Sequence, residues 1–222
     1  MKEDLLIKRF CNTVEQIGSI TSYRGGVKPA FHPGHVIKTI LYLMENGPAG
    51  RKLLSKQLGL GETSVRSLFR RLRLYGLIEI DRVAGAYLTR KGKELGKILS
   101  EMINVYKGVR LFSWSNPVIV VVSMKPPDNI TVLTIRDKAI SVNADAALIA
   151  FYENGILEIP GLPTDREEYK ETLKILGEVC NKQCRGSCTV IYASLRSKPF
   201  EIEGLYLGYE IVNYYCQRIR YC

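Results

Sequence analysis

Between Glu62 and Tyr75 the chain reads ETSVRSLFRRLRLY, and its polar side chains are of the types that bind phosphate oxygens and base edges. Arg66 and Arg70 stand four apart, so on a helix they share a face. A guanidinium there can donate two hydrogen bonds to one guanine edge. Thr63, Ser64 and Ser67 lie at the front of the same segment as short hydroxyl donors and acceptors. Arg71 and Arg73 are expected to face phosphates or solvent. Arg51, Lys52 and Lys56 upstream can hold a phosphate backbone, which positions a duplex without reading its sequence, and Arg82 downstream can reach an adjacent minor groove or a phosphate. Lys91 and Lys93 add further charge.

The charge is local. Of the net +10, the stretch Pro48–Ser100 carries 12 basic and 4 acidic residues, whereas residues 116–222 carry 12 basic and 13 acidic. A cationic excess confined to one small region is the footprint of a polyanion binder. A basic helix whose cations are merely solvated has the same composition.

Other reactive side chains form weaker sets. Cys180, Cys184 and Cys188 have three residues between neighbours, with Cys11, Cys216 and Cys222 elsewhere. Buried thiols, disulfides and a metal site on Cys180, Cys184, Cys188 and Cys216 all remain open. The spacing lacks the C-x2-C pairs of zinc and cluster motifs. Cys180 and Cys216 fall on apolar helix faces, one turn after Leu176 and Val212. Arg136-Asp137 could take an anionic effector or form an ordinary surface ion pair. His32 and His35 flank Pro33-Gly34 at a helix entry, where capping accounts for them. Neither a phosphate-cradling G-x-x-x-x-G-K-[ST] nor a G-x-G-x-x-G is present, so neither catalysis nor a cofactor is expected.

Apolar periodicity gives the elements that position these residues. Leu6, Phe10, Val14 and Ile17 predict a helix over 4–18, followed by a Gly/Pro/Ser-rich loop. Helices follow at about 34–45, 50–58 (Leu53, Leu54 and Leu58 inward) and 62–75 (Val65, Leu68, Phe69 and Leu72 inward). Residues 77–81 and 86–89 read as a hairpin around Arg82–Gly85, and Thr89 can cap a helix over 90–103. Helix, helix, helix, hairpin, helix is the order of a winged helix-turn-helix. Its third helix would lie in the major groove.

The second half predicts strands at 118–122, 147–152, 156–159 and 189–195, and helices at 131–142, 164–182 and 206–219. Asn154-Gly155 marks a hairpin turn. A ferredoxin-like βαββαβ sheet satisfies that order, and other α/β arrangements share it. The fold class is therefore α+β, a winged helix followed by an α/β sandwich. The expected divisions are a helical arm (1–28), the winged helix (29–104), a linker (105–116) and a sensor or dimerisation domain (117–222). No apolar run is long enough to span a bilayer, and MKEDLLIKRF has no signal core. A cytoplasmic protein is expected.

The stretch PAFHPGHVIKTILYL, with GRKLLSKQLGLGETSVRSLFRRLRLYGLIEIDRVAGAYLTRKG, resembles the winged-helix half of small archaeal transcriptional regulators that carry a C-terminal domain of unknown function. IRDKAISVNADAALIAFYENGILEIPG is similar to the pattern of their second half, so the resemblance covers roughly 28–162. It implies a DNA-binding regulator, and brings no ligand or catalytic residues. A homodimer on double-stranded DNA is expected, responding to a small-molecule effector, with helices 4–18 and 206–219 as dimer surfaces. The alternative is an RNA-binding or protein-docking adaptor.

Overall fold

The computed structural model describes residues 2–23, 28–109, 111–162, 167–184 and 186–219. The chain divides into two compact units, Met1–Glu101 and Met102–Cys222.

The first unit holds α1 (Lys2–Thr21), α2 (Pro33–Asn46), α3 (Arg51–Leu58), α4 (Glu62–Leu74), the hairpin strands β1 (Ile78–Asp81) and β2 (Gly85–Leu88), and most of α5 (Arg90–Met102). α1 is no separate arm. It packs on α2, and Phe10, Val14, Ile17 and Ile20 are buried. Its apolar stripe extends past residue 18 because Ile20 continues the spacing. Thr21 closes the helix by hydrogen-bonding its hydroxyl to the carbonyls of Ile17 and Gly18. α2 begins on the two histidines. The Gly34 N–H donates to Nδ1 of His32, and the His32 N–H donates to Nδ1 of His35, a reciprocal cap.

The second unit contains β3 (Ile103–Lys107), β4 (Pro117–Val122), α6 (Val132–Ser141), β5 (Ala144–Glu153), β6 (Ile156–Glu158), α7 (Glu167–Gln183), β7 (Cys188–Leu195) and α8 (Phe200–Ile219). Thr164 and its neighbours, where α7 was expected to start, lie outside the described residues. The sheet runs β3-β4-β7-β5-β6 with every neighbouring pair antiparallel.

Two expectations are corrected here. Residues 103–107 are a sheet strand rather than the end of a helix and the start of a linker. Ile103 pairs with Val122 and Lys107 with Val118. α5 passes into β3 with no Gly or Pro between them, so nothing local marks the change. The sheet is also not ferredoxin-like. β7 lies between β4 and β5, and β6, the hairpin partner of β5, takes the outer edge. Both βαβ connections are split, as expected, but the central strands are β7 and β5.

Helices cover both faces of this sheet. On one, Leu176 and Cys180 of α7 pack on Ile119, Val121, Ala150, Tyr152, Val190 and Tyr192. Val109, Leu111, Phe112 and Trp114 cover the same face, where Trp114 stacks on Tyr192 with ring centroids 5.2 Å apart. On the other, α8 lies against β3, β4 and β7 and is joined by α6, with a Lys138–Glu210 ion pair at 2.9 Å. Two-sided cover explains why β4 and β7 are buried almost without interruption although the sheet is antiparallel. It also removes α8 as a dimer surface, because Ile202, Leu205, Leu207, Ile211, Val212 and Tyr215 are already buried. The buried stripe of α1 is removed for the same reason.

Close approach of α8 to the sheet depends on Gly208. A Cβ there would sit 2.5 Å from Cγ2 of Ile103 and 3.1 Å from Cγ1 of Val120, both on stiff β-branched side chains. Gly208→Ala is expected to destabilise the chain by about 1–3 kcal/mol through overpacking. A lower urea midpoint at unchanged slope would report it.

Candidate nucleic-acid interface

α4 is held from behind and open in front. Val65, Leu68, Phe69 and Leu72, at helical spacing, are buried, while Thr63, Arg66, Arg70 and Arg73 are exposed. Leu53 departs from expectation. It is 44% exposed, and α3 is anchored by Leu54 and Leu58 alone among its leucines.

The hairpin is fixed beside α4 by backbone contacts. Ala49 and Ala86 exchange two N–H···O bonds of 2.9 Å each, so the approach to α3 acts as a third short strand. Gly85 makes this possible. Its φ is +92°, and a Cβ would sit 2.5 Å from the Ala49 carbonyl oxygen. At the turn, Oδ1 of Asp81 accepts the N–H groups of Ala84 and Val83, 2.7 Å each. Those two bonds hold the Asp81 carboxyl below its ordinary range.

Between α4, the hairpin and residues 28–31 lies an open cleft of about 1550 Å³. Lys28, Arg51, Arg66, Arg70, Arg71, Arg73 and Arg82 line it, against one carboxylate, Asp81. Thr63, Ser64 and Ser67 also face it. Among the described residues, no hydrogen bond or ion pair ties the side chains of Lys28, Arg51, Arg66, Arg70, Arg73 or Arg82. Unpaired cations around a concave wall concentrate positive potential there.

Most of the residues singled out from the sequence thus meet in one place. Lys52 and Lys56 do not. They are exposed on α3 but outside the cleft. Arg71 is placed differently from expectation. Its Nη1 donates to the carbonyl oxygens of Ile20 and Ser22 at 2.7 Å each, and its guanidinium lies 5.5 Å from the Phe31 ring centroid. Those carbonyls are at the C-terminal end of α1, where a helix presents acceptors and partial negative charge. Arg71 therefore joins α4 to α1. Lys91 is used similarly, donating to the Tyr75 carbonyl at 3.1 Å. Lys28 and the apolar Ile80 and Val83 also line the cleft, and the sequence reading had not placed them there. Lys28 sits in a loop without periodicity, so only its sign could have drawn attention.

Arg136 and Asp137 are exposed on α6 and do not line the cleft. The four-cysteine metal reading is overturned. Cys184 and Cys188 form a disulfide, Cys216 does not titrate as a free thiol, and Cys180 is a buried free thiol. No cluster of three potential ligands exists among the described residues. Cys222 lies outside them.

Residues 35–94, spanning α2 through the start of α5, match the family model described as PH0730-like, N-terminal domain. The chain is similar to the solved structure of hypothetical protein PH0730 from the archaeon Pyrococcus horikoshii OT3. The two are 26% identical with a TM-score of 0.58, over 83% of this chain and 93% of that one. No curated protein matches. No described helix is long and apolar enough to cross a membrane.

Two outcomes follow. Arg71→Ala is expected to cost about 2 kcal/mol, the scale of hydrogen bonds to a charged donor, and to lower the urea midpoint. Arg71→Lys should restore only part of it, since a lysine cannot present the same planar fork. Separately, burial pushes the Cys180 thiol up to about 12. Peptide mass spectrometry after iodoacetamide treatment near neutral pH should find Cys180 unmodified in the folded chain and alkylated after denaturation.

Proposed function

We propose that the first unit is a winged helix-turn-helix that binds double-stranded DNA, and that the protein is a transcriptional regulator. The observation that carries this is the cleft. The hydroxyl and guanidinium face of α4 and the tip of the β1–β2 hairpin line one concave, cationic surface. In this reading α4 enters the major groove, with Arg66 and Arg70 toward base edges and Thr63, Ser64 and Ser67 toward phosphates or bases. The hairpin is the wing. Arg51, Arg73 and Lys28 neutralise the backbone between the two grooves, and Lys52 and Lys56 add longer-range attraction. The second unit, whose helices cover both sheet faces, serves for sensing or dimerisation. An RNA-binding adaptor would use the same charges.

Duplex binding measured against salt tests the reading. With Lys28, Arg51 and Arg73 on phosphates the log–log slope is about −3, and each one lost lowers it by about 1. Arg66→Ala should relax sequence preference, whereas Lys56→Ala should weaken all duplexes slightly and equally. Tighter binding to structured RNA than to any DNA duplex would favour the adaptor. Absence of binding at low salt would exclude both.

A further inference from the structure

The two walls of the cleft differ in chemistry. α4 presents hydroxyls and guanidiniums. The hairpin presents Ile80, 49% exposed, and Val83, 97% exposed, beside Arg82. A valine almost wholly in water gains nothing from burial, and a lone one needs no explanation on a loose surface loop. This turn is not loose. The Asp81 carboxylate holds the backbone N–H of Val83 and of the next residue, and β2 is bonded to Ala49 directly after the turn. Val83 is also stiff in itself, since branching at Cβ restricts its rotamers. The tip is thus a rigid apolar point adjoining a cation, at the rim of a cationic groove.

That combination fits a DNA minor groove. The cation is drawn by the potential between two phosphate strands, and an apolar side chain can part adjacent base pairs. Parting is easiest at pyrimidine–purine steps such as TpA and hardest in stiff A-tracts. In an RNA duplex the minor groove is wide, shallow and lined with 2′-hydroxyls, which gives such a point nothing to enter. We propose that Val83 is a wedge. Resting on the duplex reading above, this makes the hairpin tip select B-form DNA, and particular sites in it, by how readily a base step opens.

The test uses the full chain and two AT-rich duplexes of equal composition. Each is about 20 base pairs long, one with a central TpA and one with an unbroken A-tract. Affinity is measured by titration, and bending by energy transfer between end labels. The wild type should prefer the TpA duplex roughly tenfold and bend it. Val83→Ala and Val83→Ser should lose most of both, keep the A-tract affinity and salt slope, and melt at the wild-type temperature because the side chain is exposed. Val83→Ile should retain preference and bend. Equal wild-type affinity for both duplexes without bending, or an alanine variant that still bends TpA, would overturn the wedge and leave the duplex reading standing. If the wild type binds neither duplex at low salt, the two fall together.

Discussion

Two hydrogen bonds between the backbones of Ala49 and Ala86 set the geometry on which the cleft depends. They fasten the hairpin to the entry of α3, and α3 and α4 pack together behind it. The cleft's width is therefore fixed by main chain, whose bonds cannot be traded for a different side-chain rotamer. Thr89 completes the frame at the far end of the hairpin. Its hydroxyl accepts from the Gly92 N–H at the start of α5 and donates to the Gly76 carbonyl just after α4. With these joints in place, the cations are left with nothing structural to do, Arg71 and Lys91 excepted. Charges held apart in this way raise the energy of the unliganded surface and lower it again when a polyanion arrives.

How much of this the amino-acid order discloses varies with the range of the interaction. α4 is legible because Val65, Leu68, Phe69 and Leu72 repeat at the pitch of a helix, and that pitch also dictates where Arg66 and Arg70 point. The β5–β6 turn is legible because Asn154 and Gly155 tolerate the positive φ values, 52° and 87°, that it uses. What could not be read is non-local. Arg71 reaches carbonyls 49 and 51 residues away, and nothing in RRLRL separates it from Arg70, one position earlier. Their opposite roles come from a difference of about 100° around the helix axis.

The sheet shows the same boundary. β4 and β7 are evident from β-branched runs and β5 and β6 from the turn between them, whereas β3 was hidden because INVYK continues a helical apolar pattern. The neighbours of each strand could not be deduced, because β4 and β7 are each buried on both faces. Strands with no polar face carry no mark of which edge or partner they take. Glycine in α8 is the more informative residue, since Gly204 and Gly208 admit Val105 and Ile103 of the edge strand β3.

The cross-link between Cys184 and Cys188 joins positions only four apart. Closing so short a ring removes little freedom from the unfolded chain, about 2 kcal/mol by the loop-entropy relation. Its effect is on the corner where α7 hands over to β7: the bond shortens the reach of the helix end and tethers it to a strand at the centre of the sheet. Losing it in a reducing compartment leaves the sheet's own packing in place and loosens one rim of the second unit, so this bond trims an edge and does not staple the whole.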